Sequence, residues 1–312
     1  MKTYLVTGIA GFIGSAIARR LLANGHRVVG VDNFLTGLKE NVPPKAKFFK
    51  VDISKSSELK VLNKFKFDAV LHLAAQTSAE ISFENPTKDL LINSLGTLNL
   101  LEYCKDHKVK RFIYASSTSV YGDVDEKPVS ITRAANPKSY YGITKLAGEY
   151  YVQTFSDRMD TTSFRIFNVY GPGQNMGNLK QGMVSIYMYY FMKNKPVIVK
   201  GSKNRFRDFT YIDDIVEAWV KAIHNPKTYG KKYNLAAGRK TTVGKLLEQM
   251  ALSWNDPKHS IQFVGGTPKD QFGSYADIRP VMRDLNWKPK TNLKKGLDNF
   301  VKWARKNSKR WR

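Results

Sequence analysis

The segment Lys2–Gly14 reads KTYLVTGIAGFIG, an apolar run that leads directly into closely spaced glycines. The β-branched and aromatic residues of this run favour a strand. Apolar residues recur at helical spacing over 12–23, and a second apolar run over 27–31 is followed by Asp32. The sequence therefore predicts a strand, a glycine turn, a helix and a second strand. The glycines of the turn are Gly8, Gly11 and Gly14.

This turn is typical of a dinucleotide-binding site. Glycines let the backbone turn sharply and approach a pyrophosphate, whose charge is stabilised by the N-terminus of the following helix. Asp32 is placed to accept hydrogen bonds from an adenosine ribose, and its charge would repel a 2′-phosphate. We therefore expect NAD rather than NADP. The alternative is a tight turn that binds no phosphate, because glycines at such spacing also occur by chance.

Composition limits the class of protein. The chain has 312 residues, 42% of them hydrophobic, which is enough for a large core in one or two domains. The single cysteine, Cys104, excludes an internal disulfide or a cysteine-based zinc cluster and suits a reducing compartment. The most apolar block, 183–192, is too short to cross a bilayer. Because Met1 and Lys2 lead straight into the first strand, we expect no signal peptide and a soluble, cytoplasmic protein.

The net charge of +25 is unusually basic. Such a charge is common in proteins that bind nucleic acids or anionic membranes. Here the lysines are spread along the chain, and none of the common nucleic-acid signatures is visible. We therefore favour a solvated basic surface that attracts anionic substrates. A nucleic-acid or membrane contact is the alternative.

The rest of the chain alternates between strands and helices, which predicts an α/β fold with a doubly wound parallel sheet of the Rossmann type. We expect residues 1–170 to form this domain, with 205–240 returning to it. Residues 171–312 would then form most of a smaller, interleaved α/β domain that binds the substrate. Further strands are predicted over 46–51, 69–73, 111–116, 165–169 and 232–235, and further helices over 90–107, 213–224, 243–252 and 293–306.

A second motif follows the predicted strand 111–116. The chain there reads SSTSVYG and later YYGITK, which places Ser117 at the carboxyl edge of the sheet, where open α/β folds bind ligands. Tyr141 and Lys145 are four residues apart and share one helix face. A hydroxyl, a phenol and an ammonium so arranged can transfer a proton. The alternative is a half-buried aromatic residue beside a solvated lysine.

With these motifs the chain resembles an extended short-chain dehydrogenase/reductase, in the nucleotide-sugar epimerase/dehydratase group that includes the UDP-glucose and UDP-N-acetylglucosamine 4-epimerases. The resemblance covers about residues 2–296. It rests on TGIAGFIG (7–14), VDN (31–33), LAAQTS (73–78), SSTSVYG (116–122), YGITK (141–145), FRIFNVYGPG (164–173), RDFTYIDD (207–214), YADI (275–278) and LNWKP (285–289).

The resemblance implies catalytic roles for three residues. Ser117 would bond the O4 hydroxyl of the sugar, Tyr141 would be the acid/base, and Lys145 would be its electrostatic partner and bond the nicotinamide ribose. A free phenol has a pKa near ~10, so a base that works near neutral pH needs a lowered pKa. We expect the Lys145 charge to provide most of that change, because a unit charge at about 5 Å corresponds to about two units.

The resemblance also implies the binding residues. NAD contacts are expected at Gly8, Gly11, Phe12, Ile13, Gly14, Asp32, Asn33, Asp52, Ile53, Leu73, Ala74, Ala75, Asn93, Tyr141 and Lys145. Substrate contacts are expected at Ser78, Ser117, Thr118, Tyr141, Asn168, Arg207, Lys269 and Ser274. Simpler roles are open for four of them: a helix cap for Asp52, a polar interface for Asn93, a turn amide for Asn168, and an ion pair with Asp208 or Asp213 for Arg207. No metal site is expected, because the five histidines lack ligand spacing.

The residues after Ser117 reduce the number of reactions that the resemblance allows. Relatives that eliminate water usually carry an Asp-Glu pair there, and related decarboxylases usually carry a Glu at the second position. This chain has Thr118 and Ser119. The resemblance therefore favours 4-epimerisation of a UDP-hexose or UDP-N-acetylhexosamine through a 4-keto intermediate. Alternatives are a uronate 4-epimerase, a 2- or 3,5-epimerase, a dehydratase, a decarboxylase, or a non-catalytic NAD-binding protein.

Two further expectations concern the substrate and the assembly. Many relatives have an arginine in the loop at 265–277, which this chain lacks, and Lys269 would replace it imperfectly. Ser274 matches a position where a bulky residue excludes 2-acetamido sugars, so a serine would admit them. The resemblance also implies a homodimer formed through the helices at 90–107 and 145–157.

Overall fold

The computed structural model describes residues 1–266 and 272–311. Its strands, numbered along the chain, are β1 (Thr3–Thr7), β2 (Arg27–Asp32), β3 (Lys47–Lys50), β4 (Ala69–His72), β5 (Arg111–Ser117), β6 (Asp160–Ile166), β7 (Asn168–Tyr170), β8 (Val197–Lys200), β9 (Phe206–Arg207), β10 (Phe209–Tyr211), β11 (Lys231–Leu235), β12 (Thr241–Thr242) and β13 (Ile261–Val264). Its α-helices are α1 (Phe12–Ala23), α2 (Ala79–Glu84), α3 (Pro86–Asp89), α4 (Gly96–Asp106), α5 (Tyr140–Thr154), α6 (Met183–Met192), α7 (Ile212–Ala222), α8 (Val243–Trp254), α9 (Arg279–Leu285) and α10 (Leu293–Lys306).

The central sheet has seven parallel strands in the order β11-β6-β5-β4-β1-β2-β3. Neighbouring residues of β1 point to opposite faces, so Val6 packs in one apolar cluster with residues of α1 and Leu5 in another with residues of α4. Helices therefore cover both faces. This confirms the predicted doubly wound α/β fold.

The strand order locates the main crevice. From β1 the chain continues to β2 and β3 on one side, whereas β4, β5 and β6 lie on the other. Open α/β sheets bind ligands outside the carboxyl ends of the strands at such a reversal. The glycine turn follows β1, and Ser117 is the last residue of β5. Both motifs therefore reach the same edge of the sheet.

Two predicted elements need correction. The strand expected over 165–169 is two strands, because the chain leaves the central sheet after Ile166 and β7 pairs with β10 instead. The helix expected over 90–107 is α4 preceded by a π-helical stretch, Leu90–Leu95. Its buried Asn93 and Ser94 donate hydrogen bonds to the carbonyls of Gln76 and Thr144, and π-helical segments are frequent at functional sites.

The chain past β7 supplies one wall of the crevice and then returns to the sheet. α6, α8 and α10 pack together, and β8 pairs with β13. β11 joins the central sheet beside β6, and α7 packs on α1. Within the described residues, no helix has the length and apolar character needed to span a bilayer.

Candidate active site

A cavity of about 380 Å³ opens at the carboxyl edge of the central sheet. It brings together most of the residues predicted to bind NAD or substrate, from both the glycine turn and the Ser117 motif. Those that line it are Gly8, Gly11, Phe12, Ile13, Gly14, Asp32, Asn33, Asp52, Ile53, Leu73, Ala74, Ala75, Ser117, Thr118, Tyr141, Lys145 and Asn168.

The glycine turn is closed by the loop after β4. Gly8 has φ +70°, and a Cβ atom there would lie 2.8 Å from the backbone nitrogen of Ala74. A Cβ atom on Gly14 would collide with the carbonyl of Gly8. Only glycine allows this close approach, and it leaves the backbone N–H groups at the start of α1 open to the cavity. The turn therefore fits a pyrophosphate.

Asp32 is held at the wall of the cavity beside this turn. Its carboxylate accepts hydrogen bonds from the backbone N–H of Ala10 (3.0 Å) and of Phe34 (2.8 Å). Burial raises the pKa of Asp32, and these N–H donors act in the opposite direction. The carboxylate is thus oriented by the backbone, as a ribose-binding group needs to be.

Local structure positions the Ser117 motif. Ser139 caps α5 by accepting a hydrogen bond from the N–H of Gly142 (3.1 Å), so Tyr141 and Lys145 lie in the first turns of that helix. Ser117 Oγ accepts a hydrogen bond from the N–H of Ser119 (3.1 Å), and the Ser117 hydroxyl acts to lower the pKa of the Tyr141 phenol. The hydroxyl and the phenol therefore share one wall of the cavity.

Burial dominates the ionisation of Tyr141 and Lys145. It raises the pKa of Tyr141 to about 12, against a weaker opposite effect of the Ser117 hydrogen bond. Burial also lowers the pKa of Lys145 to about 7, against the attraction of Asp89 and Glu149. We expected the Lys145 charge to provide most of the lowering of the Tyr141 pKa. Burial raises that pKa instead, because the loss of hydration disfavours the phenolate.

Three buried polar atoms of the cavity wall have no partner among the described residues. They are Thr118 Oγ1, Asn168 Nδ2 and Gln174 Oε1. An unpaired buried polar atom is costly, so these groups are poised to bond a polar ligand. Thr118 and Asn168 were predicted, whereas Gln174 was missed. Its signal was its place in the glycine-rich stretch GPGQN, which follows Asn168 closely in the sequence.

Other predicted residues lie outside the cavity lining. Ser78 caps α2 and donates a hydrogen bond to the carbonyl of Lys180 (3.3 Å). Asn93 is buried and bonds both the N–H and the carbonyl of Gln76. Arg207 donates hydrogen bonds to the carbonyls of Phe206 (2.8 Å) and Phe272 (3.1 Å).

Two predicted substrate residues belong to the segment between β13 and α9. Ser274 is buried, and its hydroxyl has no partner among the described residues. It does not line the cavity. Lys269 lies outside the described residues. Roles for these two residues stay predictions.

A buried group of side chains that the sequence did not predict supports the glycine turn from below. Thr7 Oγ1 accepts hydrogen bonds from the N–H groups of Leu73 and Ala74 (both 3.1 Å), so its own proton goes to His72 Nδ1 (2.7 Å). The other imidazole nitrogen then donates to Thr97 Oγ1 (2.9 Å). Burial keeps the pKa of His72 well below its usual value. A neutral His72 thus fixes the loop that closes over Gly8.

Known proteins share both the sequence pattern and the fold. Residues 4–236 match the NAD dependent epimerase/dehydratase family. UDP-glucose 4-epimerase of Mycolicibacterium smegmatis is 33% identical over 316 residues, which cover 99% of this chain and 100% of that protein. Among solved structures, UDP-glucose 4-epimerase of Thermotoga maritima with UDP-glucose matches with a TM-score of 0.94 and 32% identity, over 98% of this chain and 99% of that one.

A third similar protein contains the dinucleotide. UDP-glucose 4-epimerase of Thermus thermophilus in complex with NAD matches with a TM-score of 0.90 and 32% identity, over 97% of this chain and 99% of that one. The glycine turn, the oriented Asp32 and the open N-terminus of α1 fit the same cofactor. This chain belongs to the NAD-dependent epimerase/dehydratase family, and its cofactor is NAD.

Proposed function

We propose that this chain catalyses the 4-epimerisation of a nucleotide sugar, with a UDP-hexose or a UDP-N-acetylhexosamine as substrate. One observation carries the proposal. Among the described residues that line the cavity, the carboxylates are Asp32 and Asp52, and both belong to the dinucleotide end. Thr118 and Ser119, which follow Ser117, are hydroxyls that protonate a leaving group poorly. Oxidation and reduction at C4 need no second acid, whereas elimination of water does.

In this proposal three side chains act on the 4-hydroxyl of the sugar. Ser117 orients that hydroxyl, and Tyr141 accepts its proton. Lys145 stabilises the phenolate by its charge. Because burial raises the pKa of Tyr141 to about 12, proton transfer near neutral pH needs additional positive charge beside the phenol. Bound NAD supplies a hydride acceptor and, in its oxidised form, such a charge.

The cofactor would be held by groups that the fold already orients. Backbone N–H groups of the Gly8–Gly14 turn would bind the pyrophosphate, and Asp32 would accept hydrogen bonds from the adenosine ribose. Asp52 accepts a hydrogen bond from the N–H of Ser54 (3.0 Å), which fixes its carboxylate at the far end of the cavity. We assign it to the adenine end.

The sugar and diphosphate would occupy the opposite wall. There the unpaired amide groups of Asn168 and Gln174 and the hydroxyl of Thr118 offer donors and acceptors. After oxidation, a 4-keto sugar must turn so that its other face meets the cofactor. The small Ser274, at the position that the family resemblance assigns to the sugar, is the basis for including N-acetylhexosamines.

Product analysis tests the function. We would incubate the purified protein with UDP-hexoses, UDP-N-acetylhexosamines and UDP-uronic acids and follow the products by mass spectrometry and NMR. We expect an unchanged mass and an inverted C4 centre. A 6-deoxy-4-keto product or release of carbon dioxide would replace the proposal by a dehydratase or decarboxylase. Protein with bound NAD that converts no sugar would indicate a non-catalytic role.

We also propose a homodimer. Several large apolar side chains on the helical face formed by the π-helical stretch and α5 are exposed, among them Leu91, Ile143 and Tyr150. An exposed apolar patch of this kind marks an interaction surface. Sedimentation should give twice the chain mass, and Ile143→Glu should shift the protein to monomer. A monomeric wild-type protein at micromolar concentration would contradict this proposal.

A further inference from the structure

A buried carboxylate close to the reactive pair has no cation of its own. Asp89, the last residue of α3, is 0% exposed, and Lys145 is 3% exposed. Among the described residues, Asp89 forms no ion pair within 4.0 Å. Within the part of the chain that the structure describes, its hydrogen-bond donors are all neutral: Gln76 Nε2 (2.6 Å), Asn93 Nδ2 (3.2 Å) and Thr144 Oγ1 (2.6 Å). A charge buried in this way needs a compensating charge nearby.

The second carboxylate near Lys145 is already compensated. Glu149 binds Arg165 through two hydrogen bonds, from Nε (2.8 Å) and from Nη2 (2.7 Å), and also accepts one from Ser116. The Arg165 guanidinium therefore pairs with Glu149 on that side of the helix. Asp89 and Glu149 both attract the Lys145 ammonium electrostatically. Since Glu149 is paired with Arg165, Asp89 is the acid whose negative charge is available to Lys145.

The hydrogen bonds also connect Asp89 mechanically to the site. Thr144, which donates to Asp89, precedes Lys145 in α5. Asn93, which also donates, holds the backbone of Gln76 in the loop after β4. Asp89 therefore joins the helix that carries Tyr141 and Lys145 to the loop that closes over the glycine turn.

We propose that Asp89 is a positioning residue whose buried charge is the counter-ion of the Lys145 ammonium. It touches neither cofactor nor substrate, since it does not line the cavity. The inference rests on the proposed roles of Tyr141 and Lys145, and it does not depend on which sugar is bound. The other titratable groups that face Lys145 are Glu149 and Tyr141 on its own helix, Tyr114 on β5 and His72 on β4.

The sign of the expected effect follows from the charge. Removing a negative charge favours loss of a proton from every nearby acid, so both the Lys145 ammonium and the Tyr141 phenol should release protons at lower pH. Removal of a unit charge roughly 10 Å away, at an effective dielectric of about 20, moves a titration by about one unit. A residue with only a structural role would reduce activity without moving the profile.

The experiment measures Lys145 directly and does not require turnover. Only the free amine is acetylated, so the pH dependence of Lys145 acetylation by trace acetic anhydride, read by mass spectrometry, reports its titration. In Asp89→Asn we expect the midpoint to fall by about one pH unit relative to wild type. The pH profile of kcat/KM should move in the same direction. Asp89→Glu, which keeps the charge, should restore the midpoint.

Controls separate the possible failures. Asp284→Asn removes a buried carboxylate that pairs with Lys231 and Arg283, on a part of the chain that does not line the cavity, and should leave the Lys145 midpoint unchanged. If Asp89→Asn does not fold, Asp89→Ser removes the charge and leaves room for a water molecule. An unchanged midpoint in a folded charge-free variant would overturn the inference. If wild type turns over no sugar while the midpoint still falls, the proposed function fails and the counter-ion role stands.

Discussion

The two ends of the cavity differ in how their polar groups are satisfied. At the dinucleotide end, Asp32 is bonded by two backbone N–H groups, and the glycine turn is locked by the loop after β4. At the end proposed to bind the sugar, called here the sugar end, Asn168 and Gln174 have buried polar atoms without a partner among the described residues. The dinucleotide end is preformed by backbone groups, whereas the sugar end offers a few side chains whose polar atoms are unpaired within the described chain until a ligand binds. The comparison predicts different consequences for changes at each end.

The largest effect is expected between the two ends, at the phenol. Tyr141→Phe removes the proposed acid/base and should lower kcat by about a thousandfold, with NAD still bound. Tyr140→Phe is a matched control on the same helix, because Tyr140 is 44% exposed and does not line the cavity. Steady-state rates and the absorbance of bound cofactor measure both. Near wild-type turnover by Tyr141→Phe would contradict the proposed mechanism.

The next effect tests the preformed cradle. Gly8→Ala places a Cβ atom 2.8 Å from the backbone nitrogen of Ala74 in a backbone with φ +70°, so we expect loss of NAD retention and a lower free energy of unfolding. Gly230→Ala has nearly the same φ, +69°, with no atom within 4 Å of the added carbon. The free energy of unfolding of this variant should fall by about 1 to 2 kcal/mol, and NAD should stay bound. Equal cofactor loss in both variants would show that the close approach is unimportant.

A smaller effect is expected at the sugar end. Asn168→Ala removes an amide whose Nδ2 has no partner in the described structure. Because no internal hydrogen bond is broken there, stability should change little, while KM for the nucleotide sugar should rise about tenfold. NAD retention is the internal control. An unchanged KM, or a loss of NAD instead, would remove the distinction between the two ends.

The smallest effect on catalysis is expected outside both ends. Hydrogen bonds from Arg283, Tyr233 and Lys231 lower the pKa of Asp284 well below its usual range. Its stabilisation is therefore present above the usual Asp pKa and lost as pH falls. Asp284→Asn should unfold more easily than wild type in urea at pH 7, with a difference that shrinks toward pH 3, and should keep both KM and NAD. A difference that grows on acidification would contradict this assignment.

Much of the dinucleotide end could be predicted from local sequence. The glycine turn, α1 over Phe12–Ala23 and the position of Asp32 depend on contiguous residues, so spacing alone indicates them. The Ser117, Tyr141 and Lys145 group was also predictable, since a strand end and one helix turn place it. The residues of the sugar end were harder to predict from the sequence. Ser78 and Arg207 fit the resemblance but bond carbonyl groups outside the cavity lining, while Gln174 lies in it.

Sequence by itself determined the doubly wound sheet, the cofactor and the chemical identity of the reactive groups, because periodicity and short motifs act over neighbouring residues. Tertiary structure alone decided their ionisation and support. Burial, which sums over distant parts of the chain, sets the pKa of Tyr141 at about 12 and that of Lys145 at about 7. The tertiary structure also brings Asp89 and His72 under the site from separate elements, and no local spacing in the sequence encodes that proximity.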